Sequence, residues 1–472
     1  MSISARNPRT GENDYLFDPP TQNEIASLCG DLRVHQSSWK ESGVDARISA
    51  MQAWKKQLEE RQEELVNVLK MDTGRIHESI LEVESLSNTI DRWCDIARNL
   101  FDRRESVDTS VPFIQMSQQW VPYSLVGIIS PWNFPILLTH IDAIPALLAG
   151  CSVIIKPSEI TPRFVEPLKE IAQSVAGLEG VLCYVQGDGE TGVAIVDEVD
   201  LICFTGSVAT GRKVGEQAAR NFIPAFLELG GKDAAIVLKG ADLDRASSAL
   251  VWASMVNAGQ SCQSIERVYV EEAIHDPLVD MLVEKAGRLK LAYPECNSGE
   301  IGPIISPKQT ATIIEHIEDA TEKGGTVHCG GKLEYHGGGD WIQPTVISKV
   351  NHDMKIVTAE TFGPILAVLA VSSREVAVEL ANDTDYGLSG AVFAGTEEEA
   401  MAVAEQLDIG GISINDAALT AVLNDGEKDS FKYSGLGGTR MGPGAIKRFL
   451  RRKALYSAEK SDIDPWWFDG EG

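Results

Sequence analysis

The chain has 472 residues, of which 43% are hydrophobic and 24% are charged. This is the balance of an ordinary soluble globular protein that is long enough for two or three domains. The formal net charge of -27, from 69 acidic and 42 basic side chains, argues against nucleic acid as a partner, because a phosphate backbone is bound by clustered Lys and Arg. We therefore expect small molecules or other protein chains as partners.

The cysteines and the N-terminus indicate the cellular compartment. The eight cysteines are spread without close CxxC pairs, so we predict no metal site and no disulfide scaffold. The first ten residues lack the apolar segment of a secretory signal. Reduced thiols and a cytoplasmic location fit this pattern best.

The first hundred residues predict helices, and the pattern then changes. Residues 45–70 and 78–100 have apolar side chains at the spacing of amphipathic helices. The apolar stretch 125–150 contains three prolines, Asn133, His140 and Asp142, so we predict buried strand and helix there and not a membrane span. Short β-branched runs that alternate with helical patterns predict the strands of a parallel α/β sheet at 126–129, 152–156, 181–185 and 201–205.

A second α/β series follows in the other half of the chain. We predict its strands at 234–238, 266–270, 345–350, 365–371, 390–393 and 411–414, with helices at 277–289 and 374–382. The boundary between the two series is placed just after Glu228. Near the C-terminus, the basic run 446–453 predicts a helix, and an acidic stretch and the aromatic sequence 465–468 follow it.

Two strand ends offer groups that suit a nucleotide. Residues 206–211 form a glycine turn between a predicted strand and helix, where backbone amides can bind a pyrophosphate. Lys156 and Glu159 follow another strand end and can bind ribose hydroxyls. Each pattern also fits a plain turn or a solvated strand end.

Residues 227–232 and 259–262 supply a carboxylate, Glu228, and a thiol, Cys262, with no histidine between them. A cysteine nucleophile usually has a histidine partner. A carboxylate suits chemistry in which the thiol forms a covalent intermediate and the acid then activates the water that releases it.

Six motifs together resemble signatures of the NAD(P)-dependent aldehyde dehydrogenase superfamily, and the similarity extends from Asn7 to about Leu455. They are 131–135 (PWNFP), 156–159 (KPSE), 204–207 (FTGS), 227–232 (LELGGK), 259–262 (GQSC) and 360–364 (ETFGP). The resemblance implies an α/β fold with three parts. They are a Rossmann-type NAD-binding domain (1–102 and 121–229), an α/β catalytic domain (230–435), and a small β oligomerisation element with the C-terminal tail (103–120 and 436–472).

The resemblance also implies catalytic roles. Cys262 resembles the nucleophile that attacks the aldehyde carbon to form a thiohemiacetal. The side-chain amide of Asn133 and the backbone N–H of Cys262 resemble the oxyanion hole. Glu228 resembles the general base that activates water to hydrolyse the thioester, which gives a carboxylic acid.

The implied cofactor is NAD, with NADP as the alternative. Glu360 resembles the ligand of the nicotinamide ribose and Phe362 the packing surface beside the ring, while Glu159 favours NAD because a carboxylate repels a 2′-phosphate. The remaining cofactor-binding positions are Trp132, Lys156, Ser158, Gly189, Gly206 and Ser207.

The implied substrate tunnel is mostly apolar, with no Arg or Lys among its positions, and this favours an apolar or aromatic aldehyde. Its residues are Phe134, Leu137, Leu138, Ile141, Val256, Ser261 and Gln263. A semialdehyde dehydrogenase and a CoA-acylating enzyme are the alternatives, and Glu228 argues against the second. A non-catalytic protein would be expected to lack Cys262 or Asn133. The sequence departs from the family pattern at 416–440, where many relatives carry Pro-Phe-Gly-Gly and this chain has the segment 424–431 instead.

The resemblance further implies a homodimer or homotetramer, in which a C-terminal strand pairs with another subunit and the aromatic tail lies at the interface. Two alternatives for the tail are weaker: membrane-surface association and closure over the mouth of the tunnel.

Overall fold

The computed structural model of the chain describes residues 2–101, 106–111 and 113–458. Two large β-sheets, each flanked by helices, make up most of it, as the alternating sequence pattern predicts. Among the described residues no helix is long and apolar enough to cross a membrane. The stretch 125–150 forms a buried strand and a buried helix, as predicted.

The strands in chain order are β1 Ile3–Arg6, β2 Asn13–Phe17, β3 Ser106–Asp108, β4 Ile114–Pro122, β5 Leu125–Ile129, β6 Ser152–Lys156, β7 Leu182–Tyr184, β8 Leu201–Thr205, β9 Ala225–Glu228, β10 Asp233–Val237, β11 Ile265–Glu271, β12 Thr326–Cys329, β13 Leu333–His336, β14 Gly339–Ile342, β15 Thr345–Ser348, β16 Ile365–Val371, β17 Tyr386–Gly387, β18 Ser389–Phe393, β19 Gly411–Ile414, β20 Phe431–Lys432, β21 Gly435–Leu436 and β22 Leu450–Ala458.

The α-helices in chain order are α1 Gln22–Glu41, α2 Val44–Glu60, α3 Gln62–Thr73, α4 His77–Phe101, α5 Pro135–Ala149, α6 Val165–Gln173, α7 Gly189–Glu198, α8 Val208–Arg220, α9 Leu243–Met255, α10 Glu272–Ala286, α11 Pro307–Glu322, α12 Lys355–Thr358, α13 Arg374–Asn382, α14 Glu397–Ala404 and α15 Leu419–Val422; 3-10 turns occupy Val256–Gly259 and Pro443–Phe449.

The six-stranded sheet has the order β21-β9-β8-β5-β6-β7 and is parallel except for β21. Its strands β5, β6 and β8 are buried along their whole length, as expected for a parallel sheet covered on both faces. Because parallel strands end at the same edge, Lys156, Thr205 and Glu228 come to one side of the sheet.

The seven-stranded sheet has the order β12-β15-β16-β11-β10-β18-β19, and only β12 runs antiparallel. Its core is the largest hydrophobic cluster of the described residues. The short connection 229–232 leads from β9 of the first sheet to β10 of the second. We propose the domain boundary there, between Leu229 and Gly230.

The predicted helix at 446–453 is wrong in its second half. A 3-10 turn ends at Phe449, and β22 then pairs with β4 over nine residues, while β3 pairs with the other edge of β4. Pairing with a strand more than 300 positions away satisfies the backbone of this charged segment, and local sequence carries no signal of it. The aromatic residues 465–468 lie outside the described residues. The helix predicted at 45–70 is also divided, at Arg61, into α2 and α3.

Candidate active site

Cys262 follows a strained backbone turn. Asn257, Ala258 and Gly259 have φ angles of 55°, 53° and 69°, so three consecutive residues are left-handed. A Cβ on Gly259 would lie 2.0 Å from the carbonyl oxygen of Gly363, so only glycine fits there. The turn thus holds the loop that carries Cys262 against the segment that carries Glu360, and such strain is common at functional sites.

A hydrogen-bonded amide network joins Asn133 to this loop. The Asn133 side-chain Nδ2 donates to the Gln260 carbonyl oxygen at 3.1 Å, and the Asn257 Nδ2 donates to the Asn133 carbonyl oxygen at 3.0 Å. Asn133 is buried, yet it lines the same small cavity as Cys262. An amide that is held in this way can stabilise negative charge on an oxygen near the thiol.

Three adjoining cavities share lining residues. The first, about 700 Å³, lies at the carboxyl ends of β5, β6 and β8. The second, about 120 Å³, brings together Asn133, Cys262, Glu360 and Phe362. The third, about 130 Å³, contains Glu228 and again Cys262. Cys262 therefore stands between a space on the Glu360 side and a space on the Glu228 side.

Seven of the nine cofactor-binding positions taken from the sequence line the largest of these three cavities. They are Trp132, Lys156, Ser158, Glu159, Gly189, Gly206 and Ser207. The buried Lys156 Nζ donates to the carbonyl oxygens of Pro157 and Gly187 and lies 3.6 Å from Glu159. Burial lowers the pKa of Lys156 from its usual range. Lys213 is a further cation on this wall.

Glu360 and Phe362 line the second cavity together with Trp132 and Cys262. The Glu360 Oε1 accepts a hydrogen bond from the Gly231 N–H at 3.0 Å. Burial, reinforced by the nearby charge of Glu266, raises the pKa of Glu360 to about 8. The rings of Phe362 and Trp132 meet edge to face at 5.5 Å.

Sequence reasoning missed the residue that shapes this segment. The buried carboxylate of Glu266 accepts hydrogen bonds from the N–H groups of Thr361 (2.8 Å) and Phe362 (2.7 Å) and pairs with the fully buried Lys232. Lys232 belongs to the motif 227–232 but was given no role in the sequence analysis. This cation without a role was the one sign that a buried carboxylate partner existed. Glu266, the carboxylate partner of Lys232, lies 34 positions further along the sequence.

The third cavity holds part of the predicted tunnel. Leu137, Leu138, Ile141 and Gln263 line it together with Glu228 and Cys262. The other three tunnel positions lie elsewhere. The Phe134 ring packs on the Arg75 guanidinium, the Ser261 hydroxyl accepts the Gln263 N–H, and Val256 lines a separate cavity beside Trp252.

Three cations that the sequence did not reveal also line this third cavity. The Arg440 guanidinium is bonded to Asp142 at 2.6 Å. Arg92 donates to the Asn424 carbonyl oxygen at 3.1 Å, and the Lys428 Nζ donates to the Gln263 Oε1 at 3.1 Å. In the described part of the chain neither Arg92 nor Lys428 has a carboxylate within 4.0 Å.

The surroundings of Cys262 disfavour its ionised form. Burial raises the pKa of the thiol to about 12, and the charges of Asp233 and Glu360 add to that effect. Lys428 acts in the opposite direction. The thiol is therefore neutral near pH 7 before ligands bind, and Lys428 is the nearby cation that favours the thiolate.

The residues present fit a dinucleotide. The cavity of about 700 Å³ has the N-terminus of α8 on its wall, where Ser207 caps the helix. Gly189 lines the same cavity at the start of α7, and a Cβ there would meet no atom within 4 Å. Such a glycine leaves open space against the backbone for a ligand. Beyond it, Glu360 offers acceptor oxygens.

Comparison with known proteins matches residues 1–455 to the "Aldehyde dehydrogenase family". A relative named "Putative succinate-semialdehyde dehydrogenase" (NADP+) in Mycolicibacterium smegmatis is 33% identical over 97% of this chain and 89% of its own length. Two solved structures are also similar. The "Putative Aldehyde Dehydrogenase PutA" of Anabaena variabilis has a TM-score of 0.98 and 55% identity, over 99% of this chain and 100% of that one.

The second structure is betaine aldehyde dehydrogenase of Staphylococcus aureus in complex with NAD+, with a TM-score of 0.92 and 29% identity over 99% of this chain and 93% of that one. The match to the family spans nearly the whole described chain, and the curated relative exceeds 30% identity over almost its full length. The chain therefore belongs to the aldehyde dehydrogenase family, and it is an oxidoreductase that acts on aldehydes with NAD(P).

Proposed function

We propose that the enzyme oxidises its aldehyde to a carboxylic acid through a covalent intermediate on Cys262. The observation that carries this proposal is the place of Cys262 on the walls of two cavities. One cavity offers Glu360 and Phe362 for a cofactor, and the other offers Glu228 and space for a substrate. A nucleophile at this junction can hold a carbonyl carbon between both groups.

In this mechanism the Cys262 thiol loses its proton to solvent, its sulfur forms a bond to the aldehyde carbon, and the Asn133 amide donates to the oxygen that becomes negative. Bound NAD(P) supplies the hydride acceptor. Glu228 then takes a proton from water, whose oxygen attacks the thioester carbon and releases the acid. The raised pKa of Cys262 keeps the thiol from reacting strongly before the site is filled.

We propose that Lys156, Ser158, Glu159, Gly189, Gly206 and Ser207 hold the adenosine and pyrophosphate part of the cofactor, and that Trp132, Glu360 and Phe362 hold the nicotinamide riboside. The enzyme prefers NAD in this proposal, because Glu159 repels a 2′-phosphate. Lys156 lies 3.6 Å from Glu159 and weakens that repulsion, but two of its three N–H groups already donate to backbone carbonyls.

For the substrate we propose an aldehyde with an anionic group a few bonds from the carbonyl, which is the semialdehyde alternative of the sequence analysis. Arg92 and Lys428 line the substrate cavity without a carboxylate partner within 4.0 Å in the described structure. A desolvated cation is most stable when paired with an anion. The M. smegmatis relative, named for succinic semialdehyde, supports this choice.

An apolar or aromatic aldehyde is the second candidate. The opposite wall of the same cavity consists of Leu86, Leu137, Leu138 and Ile141. These side chains favour an apolar chain next to the aldehyde group. A CoA-acylating enzyme has no use for a hydrolytic base, and Glu228 lines the cavity beside Cys262.

The two substrate candidates differ in one measurement. The kcat/KM of succinic semialdehyde is compared with that of pentanal, which has a similar length and no charge. The proposal predicts that the semialdehyde is at least about tenfold better and that Arg92→Met and Lys428→Met remove this advantage, since a charge-assisted contact contributes about 1.5–3 kcal/mol. If pentanal wins in the unaltered enzyme, the apolar candidate is correct.

We also propose a homodimer or homotetramer in the cytoplasm. All eight cysteines are free thiols, as expected for a reducing compartment. The β22-β4-β3 sheet is exposed along most of β22, which suits pairing between subunits. The tail after residue 458 is assigned to that interface. Removing it and measuring oligomer mass, liposome binding and KM tests this role against membrane binding and closure over the tunnel.

A further inference from the structure

The segment 424–431, where the sequence departs from the family pattern, lines the substrate cavity. Asn424, Lys428 and Ser430 all face that cavity. The side-chain hydroxyl of Ser430 donates a hydrogen bond to the Glu228 Oε2 at 2.8 Å. This segment therefore contacts Glu228, the proposed general base, through Ser430, which has no other role in the proposed mechanism.

The backbone of this segment is fixed at several points. The Gly442 N–H donates to the Asn424 carbonyl oxygen at 2.9 Å, and the Lys428 N–H donates to the Thr439 Oγ1 at 3.0 Å. The Gly444 N–H donates to the Glu427 carboxylate at 2.8 Å. Directly after Ser430, β20 pairs with β17. Ser430 thus projects from a held loop and is not free to follow Glu228.

Glu228 is also fixed at its backbone. It pairs with Thr205 of β8 on one side and with Gly435 of β21 on the other. Its remaining freedom is the direction of its side chain. The bond from Ser430 directs the carboxylate into the cavity that holds Lys428 and Cys262. Glu228 is not among the residues that line the neighbouring cavity around Glu360.

We propose that Ser430 is a positioning residue that holds the Glu228 carboxylate on the substrate side of Cys262, ready for the hydrolysis step. This inference rests on the proposed function. In that step the water oxygen forms a bond to the thioester carbon, the carbon–sulfur bond breaks, and Cys262 leaves as the thiolate. Glu228 takes one proton from the water. The Ser430 hydroxyl donates its hydrogen bond to Glu228, which acts in hydrolysis, so its loss affects hydrolysis and leaves the earlier steps intact.

The test separates the two halves of the reaction. Ser430→Ala is mixed rapidly with saturating NAD and with whichever of succinic semialdehyde or pentanal has the higher kcat/KM. NADH is followed by absorbance, and acid-quenched samples are analysed by intact-protein mass spectrometry. We expect a burst of NADH close to one per active site, a kcat about tenfold lower, as for one lost charge-assisted hydrogen bond, and a larger acyl-enzyme fraction than in the unaltered enzyme.

Two variants guard against a purely structural effect. Ser430→Thr keeps the hydroxyl and should restore kcat to within about threefold. Ser49→Ala removes an exposed hydroxyl bonded only to the Asp45 carbonyl oxygen and should match the unaltered enzyme. The proposal is overturned if Ser430→Ala has the acyl-enzyme fraction and kcat of the unaltered enzyme, or if folded Ser430→Thr loses as much as Ser430→Ala.

Glu228→Gln distinguishes this inference from the function on which it rests. If Glu228→Gln accumulates acyl-enzyme and Ser430→Ala does not, the positioning role fails and the mechanism stands. If Glu228→Gln accumulates no acyl-enzyme, the proposed function fails, and the positioning role fails with it.

Discussion

Replacing Glu266 with Gln perturbs the proposed cofactor site indirectly, because Glu266 does not line the cavity but accepts a hydrogen bond from the backbone of Phe362, which does. Glu266 is 3% exposed at its side chain and its partner Lys232 is 0% exposed. The amide that replaces the carboxylate leaves the buried Lys232 ammonium without its ion-pair partner. Its NH2 group also faces donors, namely Lys232 and the N–H groups of Thr361 and Phe362. Breaking a buried ion pair in this way costs about 3–5 kcal/mol.

This cost appears in two measurements. At roughly 2–4 °C per kcal/mol for a domain of this size class, the midpoint of thermal unfolding falls by about 6 °C or more. Because Glu266 anchors the backbone of Phe362 and the residue beside Glu360, we expect the Kd for NADH to rise about tenfold, as measured by fluorescence titration. Tenfold corresponds to about 1.4 kcal/mol of the total.

The matched control is Glu315→Gln, which breaks an ion pair with Lys355 whose side chains are 58% and 49% exposed. Exposed pairs contribute about 0–1 kcal/mol, so this variant should unfold within about 2 °C of the unaltered enzyme and keep its Kd for NADH. The reasoning is refuted if Glu266→Gln behaves like this control in both measurements.

Three further outcomes are expected. Because the pKa of Glu360 is raised to about 8 and ribose hydroxyls donate more strongly to an ionised carboxylate than to a protonated one, calorimetric affinity for NAD should rise with pH from 6.5 to 8.5; Glu360→Gln should show no such rise, and a flat profile in the unaltered enzyme contradicts this. With the pKa of Cys262 raised to about 12, the rate of alkylation of the cofactor-free enzyme by iodoacetamide should increase about tenfold per pH unit from pH 7 to 9. The rate should be lower at every pH in Lys428→Met, and a plateau below pH 8 argues against a raised pKa. Gly259→Ala places its Cβ 2.0 Å from a carbonyl oxygen, so it should lower the unfolding midpoint and abolish turnover; normal kcat would contradict the strained turn.

The architecture was readable from the sequence because its strands are buried on both faces. Strands such as β5 and β6 appear as short β-branched runs between helical patterns, and the structure confirms them. The helix prediction for 446–453 failed because the conformation of β22 depends on pairing with β4, which is distant in sequence. The local sequence pattern there favours a helix, and strand pairing with β4 overrides that preference.

The sequence predicted those residues of the candidate site that belong to the six motifs. Cys262, Asn133 and Glu360 lie together as the motifs imply. The contacts that tune the site were not readable, because they join distant segments. Arg92 lies on α4 and Lys428 follows α15, yet both reach one cavity. The local sequence of Arg92 does not distinguish it from an ordinary surface cation, and Lys428 lies in the segment 424–431 that departs from the family pattern, which marked the segment but not the direction of the side chain.

The sequence also failed to predict the direction in which some side chains point, because a motif does not fix it. Val256 precedes the nucleophile loop, and the 3-10 turn that starts there carries it to a separate cavity beside Trp252. Ser430 shows the reverse case, since an unremarkable serine reaches Glu228 only because β20 and β21 fold back against other strands.

The central claim is that Cys262 forms the covalent intermediate, and turnover by Cys262→Ala tests it most directly. This variant keeps the fold in our account, because it removes one sulfur atom from a cavity wall. The measurement is NADH formation at saturating aldehyde and NAD, with NADH binding as the check that the cofactor site is intact. The account predicts bound NADH and no turnover above background. Turnover at more than about one hundredth of the unaltered rate would contradict it.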